Sequence, residues 1–94
     1  MLELQNNQIK LSGAIVIDSV GKLLESGRAH CAANDVTLDF SGVTELDSSA
    51  LALILEYRRV AEAAGKRLSV SNIPASLKTL ADLYGVTDLI AVTP

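Results

Sequence analysis

The sequence predicts a small α/β domain in which strands and helices alternate in the order β-β-α-β-α-β-α-β. Two observations support this fold class. From residue 36 to residue 40, apolar and polar residues alternate, which is the period of a strand with one buried face. From residue 48 to residue 64, apolar residues recur at helical spacing, and Gly65 is suited to the left-handed position that ends a helix. Strands that alternate with helices favour a sheet with helices packed against it.

The N-terminal third is predicted to hold a β-hairpin and a helix. The hairpin consists of a short strand at residues 2–4, an Asn-Asn turn and a second strand at residues 8–12. Asp18 or Ser19 is suited to cap the helix that follows. One face of that helix carries three apolar residues, namely Val20, Leu23 and Leu24. Two glycines within it make it the weakest of the predicted elements.

Two more strands and a third helix complete the predicted fold. Ser41 and Gly42 are expected to end the strand at residues 36–40. Residues 68–70 alternate as a fourth strand. A third helix should carry Pro74 in its first turn, and its apolar positions are Leu77, Leu80, Ala81 and Tyr84. The last strand is expected at residues 89–92.

Length and composition restrict the class of protein. Ninety-four residues correspond to a single small domain. Hydrophobic residues make up 49% of the chain but aromatic residues only 3%, so the core must be aliphatic. The net charge of −3 and the pI of about 4.9 provide no basic surface for nucleic acid or anionic lipid.

The chain also lacks the sequence features of secreted and membrane-spanning proteins. Cys31 is the only cysteine, so one chain can form neither a disulfide framework nor a four-cysteine zinc site. No signal-peptide pattern is visible, and no apolar run approaches the roughly 18 residues needed to cross a bilayer. We therefore expect a cytosolic protein that reaches a membrane only through a partner.

No set of residues predicts catalysis or metal binding. Asp39 is expected in mid-strand, and Glu45 and Asp47 fall in a loop without spaced His or Cys partners. His30 and Cys31 are adjacent, but a thiol nucleophile would need a third group to orient the pair. A phosphate-binding glycine loop is absent from the sequence. We expect neither an enzyme nor a cofactor.

The helix that begins at about residue 48 has two distinct faces. At 100° per residue, seven positions fill an arc of about 120° that is expected to face the core; they are Ala50, Leu53, Ile54, Tyr57, Val60, Ala61 and Ala64. Leu51 and Leu55 fall beside that arc, where they either cover the margin of the core or belong to a partner surface. The far side carries Ser48, Ala52, Glu56 and Arg59.

The two serines at the start of this helix allow three interpretations. Ser48 and Ser49 are suited to cap the helix, each contributing about 0.5–2 kcal/mol. A phosphate there would meet free N–H groups and the positive end of the helix dipole, but it would repel Asp47. Small side chains at Ser48 and Ala52 would also let the backbone of another protein approach.

This segment resembles the STAS domain family. The run Asp47-Ser48-Ser49-Ala50-Leu51 is similar to the Asp-Ser-Ser-Gly-Leu motif of bacterial anti-sigma-factor antagonists, with alanine in place of glycine. A closer likeness, to the MlaB-like STAS subunits of Mla phospholipid ABC transporters, extends over residues 36–92. It rests on the runs LALIL at 51–55, AGK at 64–66 and TLADLYGV at 79–86. The first 35 residues match only in length and pattern.

The resemblance implies a STAS-type sandwich and a non-enzymatic role. The chain would bind the ATPase of an Mla-like transporter that maintains outer-membrane lipid asymmetry, with permease and lipid-binding subunits in the same complex at the inner membrane. The residues expected to contact the partner are Asp47, Ser48, Ser49, Leu51, Ala52, Leu55 and Arg59. The alternative is an anti-sigma-factor antagonist regulated by a serine kinase, in which Ser49 matches the phosphorylated serine. Contact with an ATPase is favoured over phosphorylation.

Overall fold

The computed structural model describes residues 2–5 and 7–86, which form four strands and three helices. In chain order these elements are β1 (Leu2–Gln5), β2 (Gln8–Ile15), α1 (Val20–Ala33), β3 (Val36–Leu46), α2 (Ser48–Ala63), β4 (Leu68–Ser71) and α3 (Ala75–Leu83). The predicted order is confirmed as far as the third helix. The strand expected at residues 89–92 lies outside the described residues.

The four strands form one sheet in the order β1-β2-β3-β4. The hairpin strands β1 and β2 are antiparallel, whereas β2, β3 and β4 are parallel neighbours. Parallel neighbours require crossover connections, which α1 and α2 supply. Both crossovers move across the sheet in the same direction, so right-handed connections place both helices on one face. Val36, Leu38 and Phe40 of β3 are buried under this helical layer.

The core is aliphatic apart from two aromatic rings, and Tyr57 of α2 is its largest fully buried side chain. The Tyr57 hydroxyl donates a hydrogen bond to the carbonyl of Leu23 in α1. Burial raises the pKa of Tyr57 far above its usual range, so the phenol stays neutral. A Cβ at Gly27 would overlap the Tyr57 ring and hydroxyl. Gly27 is therefore the point at which α1 can approach α2 closely.

The third strand is longer than predicted, because Ser41 and Gly42 do not end it. β3 continues to Leu46, and β2 continues beside it to Ile15, with irregular register between the two strands. A Cβ at Gly42 would lie 2.9 Å from both the Leu11 carbonyl oxygen and the Ser12 Cβ. A glycine in a strand can mark such a close approach as well as a break.

Details of α1 and α3 also differ from the sequence-based prediction. Ser19 is the N-cap of α1, but its side chain makes no capping hydrogen bond. Pro74 is the N-cap of α3 and does not lie in its first turn. Tyr84, predicted on the apolar stripe of α3, is 59% exposed. The stripe is buried only at Leu77 and Ala81.

Candidate partner-binding site at the start of helix α2

The candidate site lies where two parallel strands end. The carboxyl ends of β2 and β3 meet at one edge of the sheet, and both the β2–α1 loop (residues 16–19) and α2 begin there. The backbone N–H of Asp47 donates to the carbonyl of Ile15 at 3.2 Å. The start of α2 is thereby fixed against the end of β2, next to the loop.

Asp47 connects this loop to the helix. Its Oδ1 accepts a hydrogen bond from the backbone N–H of Ser49 at 2.8 Å, and its Oδ2 accepts one from the backbone N–H of Ile17 at 3.1 Å. The hydrogen bond from the Ser49 hydroxyl, together with those from the backbone N–H groups of Ser49 and Ile17, lowers the pKa of Asp47. The carboxylate is therefore ionised at neutral pH, the form that best stabilises a helix N-terminus.

The two serines are the first residues of α2 and do not cap it, since Asp47 occupies the N-cap position. Their environments differ. Ser49 is only 7% exposed, and its hydroxyl is engaged with the Asp47 carboxylate. Ser48 is exposed. Of the two hydroxyls, only that of Ser48 is presented to an approaching protein.

The buried face of α2 differs from the predicted arc at both its ends and its margin. Ala50, Leu53, Ile54, Tyr57 and Ala61 are buried as expected, whereas Val60 is half-buried and Ala64 is exposed.

Leu51 also belongs to the core, at 5% exposure, and must be removed from the residues available to a partner. The physical reason is that α2 packs against α1 on one flank and α3 on the other, so residues beside the central stripe are covered as well. Leu55 is half-buried against the core and keeps part of its surface accessible.

Ala52 is exposed one turn after Ser48, so these two small residues and the accessible part of Leu55 share the first two turns of α2. Arg59 lies farther along, about 16 Å from Ser48 at 1.5 Å per residue. Its Nε donates to Oε2 of Glu56 at 3.2 Å, and this partner lowers the pKa of Glu56. The structure therefore groups Asp47, Ser48, Ala52 and Leu55, and it places Arg59 outside this group.

Sequence reasoning missed Ile17. Its side chain is 73% exposed although its backbone N–H is held by Asp47. Residues 14–17 form a continuous apolar run, and such a run carries no period to show which side chains face outward. The only available signal was the position of Ile17 between a strand end and the polar pair Asp18-Ser19, which places it in a loop.

The other sequence candidates are separate from this site. Asp39 accepts hydrogen bonds from Gln8, Ser41 and Asn72 within its own part of the sheet. Cys31 is buried, and burial raises the pKa of its thiol to about 11, so the thiol is protonated at neutral pH. Within residues 2–5 and 7–86, no three His, Cys, Asp or Glu side chains are grouped to hold a metal ion. Over the same residues, no helix is long and apolar enough to cross a membrane.

The hairpin, two parallel crossovers and a helix that begins at the carboxyl edge of the sheet define a STAS-type fold. The chain belongs to the MlaB-type STAS family, because the family model described as "Mlab, STAS domain" matches residues 2–91. Among curated proteins, none matches the chain significantly in sequence.

Solved structures show the same fold. Unphosphorylated SpoIIAA, an anti-sigma factor antagonist, is 19% identical with a TM-score of 0.69, over 88% of this chain and 81% of SpoIIAA. Phosphorylated SpoIIAA of Bacillus has the same identity and TM-score, over 100% and 90% of the two chains. A Thermotoga maritima protein assigned provisionally as an anti-sigma factor antagonist is 12% identical with a TM-score of 0.78, over 98% and 83%. At these identities the likeness is one of fold.

Proposed function

We propose that this chain is a non-enzymatic STAS subunit that binds the ATPase of an Mla-like phospholipid ABC transporter and supports its assembly or activity. The observation that carries the proposal is the MlaB-type family match over residues 2–91. In this proposal the ATPase is the direct partner, and the permease and lipid-binding subunits belong to the same complex at the inner membrane. Lipid transport and outer-membrane lipid asymmetry are then properties of the whole complex.

The geometry at the start of α2 supports a protein interface there. Ser48 and Ala52 are exposed and small, so the backbone of a partner helix or loop can approach α2 closely. Leu55 adds apolar surface one turn farther on. The Asp47 cap stabilises the first turn of α2, so these side chains are held in place before binding. A surface ordered in advance loses less conformational entropy when the complex forms.

The second candidate is an anti-sigma-factor antagonist controlled by a serine kinase. It is favoured by the Asp47-Ser48-Ser49 run at the start of α2, together with a fold shared with SpoIIAA. The burial of Ser49 argues against it. A kinase would have to reach a hydroxyl that is largely covered and would have to displace its hydrogen bond to Asp47.

Co-purification with the ABC ATPase tests the proposal. Ala52→Arg should abolish binding, because it places a bulky, unpaired cation at the centre of the interface. The chain should still fold, since Ala52 is exposed and arginine is nearly as good a helix former as alanine. Ala63→Arg is the matched control, since it introduces the same side chain at an exposed position about 16 Å farther along α2.

Two results would count against these assignments. The first is undiminished ATPase binding by folded Ala52→Arg, with folding checked by a circular dichroism melt, which would refute the interface at the start of α2. The second is a phosphate on Ser49 that abolishes binding to a kinase, which would establish the antagonist function. Ser49→Ala separates the two functions further: an antagonist loses its modification site, whereas an ATPase-binding subunit should keep its binding.

A further inference from the structure

Ile17 has an environment that the fold alone does not explain. Its side chain is 73% exposed, yet several hydrogen bonds hold its loop. The Ile17 N–H donates to Asp47 Oδ2 at 3.1 Å, the Val16 N–H donates to Ser19 Oγ at 3.1 Å, and Ser19 Oγ donates to the Ala14 carbonyl at 3.0 Å. The Ser19 side chain braces the loop and makes no capping hydrogen bond to α1. The loop thus holds the backbone of Ile17 in place while its apolar side chain extends into solvent.

We propose that Ile17 is the apolar anchor of the interface at the start of α2, and that it inserts into an apolar pocket on a partner protein edged by basic side chains. Asp47 is the positioning residue that holds the backbone of the anchor at the start of α2. This inference rests on the proposed function and extends it, because it adds a second element to the interface and defines the chemistry of the surface that fits it.

The charges around Ile17 determine the character of the partner. All charged residues in the two segments that meet at this edge, residues 16–19 and 44–48, are acidic: Asp18, Glu45 and Asp47. Asp18 and Glu45 are exposed, and the whole chain carries a net charge of −3. An apolar side chain in a segment whose exposed charges are acidic is complementary to an apolar pocket with a basic rim. The same carboxylates would be repelled by an anionic lipid surface.

The position of Ile17 makes it suited to contribute much of the binding energy. Large apolar side chains that fill pockets at the centre of an interface dominate binding, while the surrounding contacts contribute little. Because the loop is already ordered by Asp47 and Ser19, binding need not immobilise it. Ser48 and Ala52 would then provide close backbone approach, and Ile17 the anchor.

The first experiment measures the dissociation constant between the full chain and the purified ABC ATPase. Ile17→Ala should weaken binding about tenfold or more. Leu83→Ala is the matched control, because Leu83 is 75% exposed and is the last residue of α3. If Ala52→Arg abolishes binding while Ile17→Ala leaves it unchanged, the anchor is wrong and the proposed function stands. If neither variant weakens binding, the interface at the start of α2 is wrong. If the unmodified chain does not bind the ATPase, the proposed function itself fails.

The second experiment tests the positioning role with Asp47→Asn in two backgrounds. Asn has a single acceptor oxygen, so it cannot accept the backbone hydrogen bonds of Ser49 and Ile17 on two separate oxygens as the carboxylate does. The loop should therefore loosen, and the Ile17 amide should exchange with solvent faster. The affinity lost through Asp47→Asn should be several-fold smaller when Ile17 is already alanine, because the anchor that Asp47 holds is gone. An identical loss in both backgrounds would overturn the positioning role, since the loss of the helix cap is common to both.

A third variant tests the charge of the partner surface. Asp18→Lys should lower the association rate with the ATPase several-fold at low ionic strength, and the effect should shrink as salt is added. Faster association by Asp18→Lys would contradict the basic rim.

Discussion

Replacement of Gly27 by alanine should destabilise the protein even though alanine is the better helix former. In an unobstructed helix interior, Gly→Ala gains about 0.8–1.0 kcal/mol. At Gly27 the added Cβ would meet the hydroxyl of Tyr57 and two of its ring carbons within 3.0 Å. Overpacking of this kind costs about 1–3 kcal/mol. Displacement of the phenol also breaks its hydrogen bond to the Leu23 carbonyl, at about 1 kcal/mol. The sum is a net loss of about 1–3 kcal/mol.

Urea denaturation followed by circular dichroism measures this loss, and the same helix supplies the control. Gly21 has no atom within 4 Å of its would-be Cβ, so Gly21→Ala should cost no stability, although its position in the first turn of α1 makes any gain smaller than at mid-helix. Adding Tyr57→Phe to Gly27→Ala should recover part of the loss but not all of it, because the ring carbons remain in the way. If Gly27→Ala proves as stable as Gly21→Ala, the close approach of α1 to α2 is wrong.

Three further outcomes are expected. Leu53→Ala and Leu51→Ala should each lower the free energy of unfolding by about 2–5 kcal/mol, since both side chains are buried. A negligible loss for Leu51→Ala in chemical denaturation would contradict the burial of Leu51. Burial acts to raise the pKa of Asp39, but hydrogen bonds from Asn72 and Ser41 hold it below its usual range. The Asp39 carboxylate therefore contributes its full stabilisation above the unfolded-state pKa of about 3.9, and that contribution is lost as the pH falls through the lower folded-state pKa. Asp39→Asn should accordingly make the free energy of unfolding fall less steeply on the acid side of a stability–pH curve. An unchanged acid side would contradict this. Finally, the purified chain should not hydrolyse ATP, because its sequence lacks a phosphate-binding loop, and turnover that persists after contaminating ATPases are removed would refute this.

Local patterns in the sequence were sufficient to predict most of the fold. A strand or helix that buries one face shows a clear period of apolar residues in its sequence. Both the alternation at residues 36–40 and the helical spacing after residue 48 are of this kind. Gly65 was correctly predicted as a left-handed residue, with φ of 73°.

The errors arose where distant parts of the chain decide the outcome. The strand pairing that carries β3 past Gly42 depends on β2, thirty residues away in sequence. The burial of Leu51 depends on how α1 and α3 flank α2, which no period within α2 records. Gly27 looked like a weakness of α1, but it provides the space that Tyr57 occupies. In each case tertiary packing overrode a local rule.

Of the two elements that form the candidate site, only the start of α2 was predictable from the sequence. The motif that begins at Asp47 identified the start of α2, because capping chemistry is local. The second element is the β2–α1 loop, which the hydrogen bond from the Ile17 N–H to Asp47 joins to the start of α2.

Because Asp47 has two structural roles, variants of Asp47 cannot by themselves show which residues bind the partner. Asp47 both caps α2 and holds the loop, so its replacement changes stability and the interface together. Ala52 and Ile17 are exposed side chains, so their replacement should alter binding with little effect on folding. If the interface is as proposed, Ala52→Arg and Ile17→Ala should melt like the unmodified chain, yet the first should lose ATPase binding and the second should bind the ATPase more weakly. Loss of the helix cap cannot produce that combination.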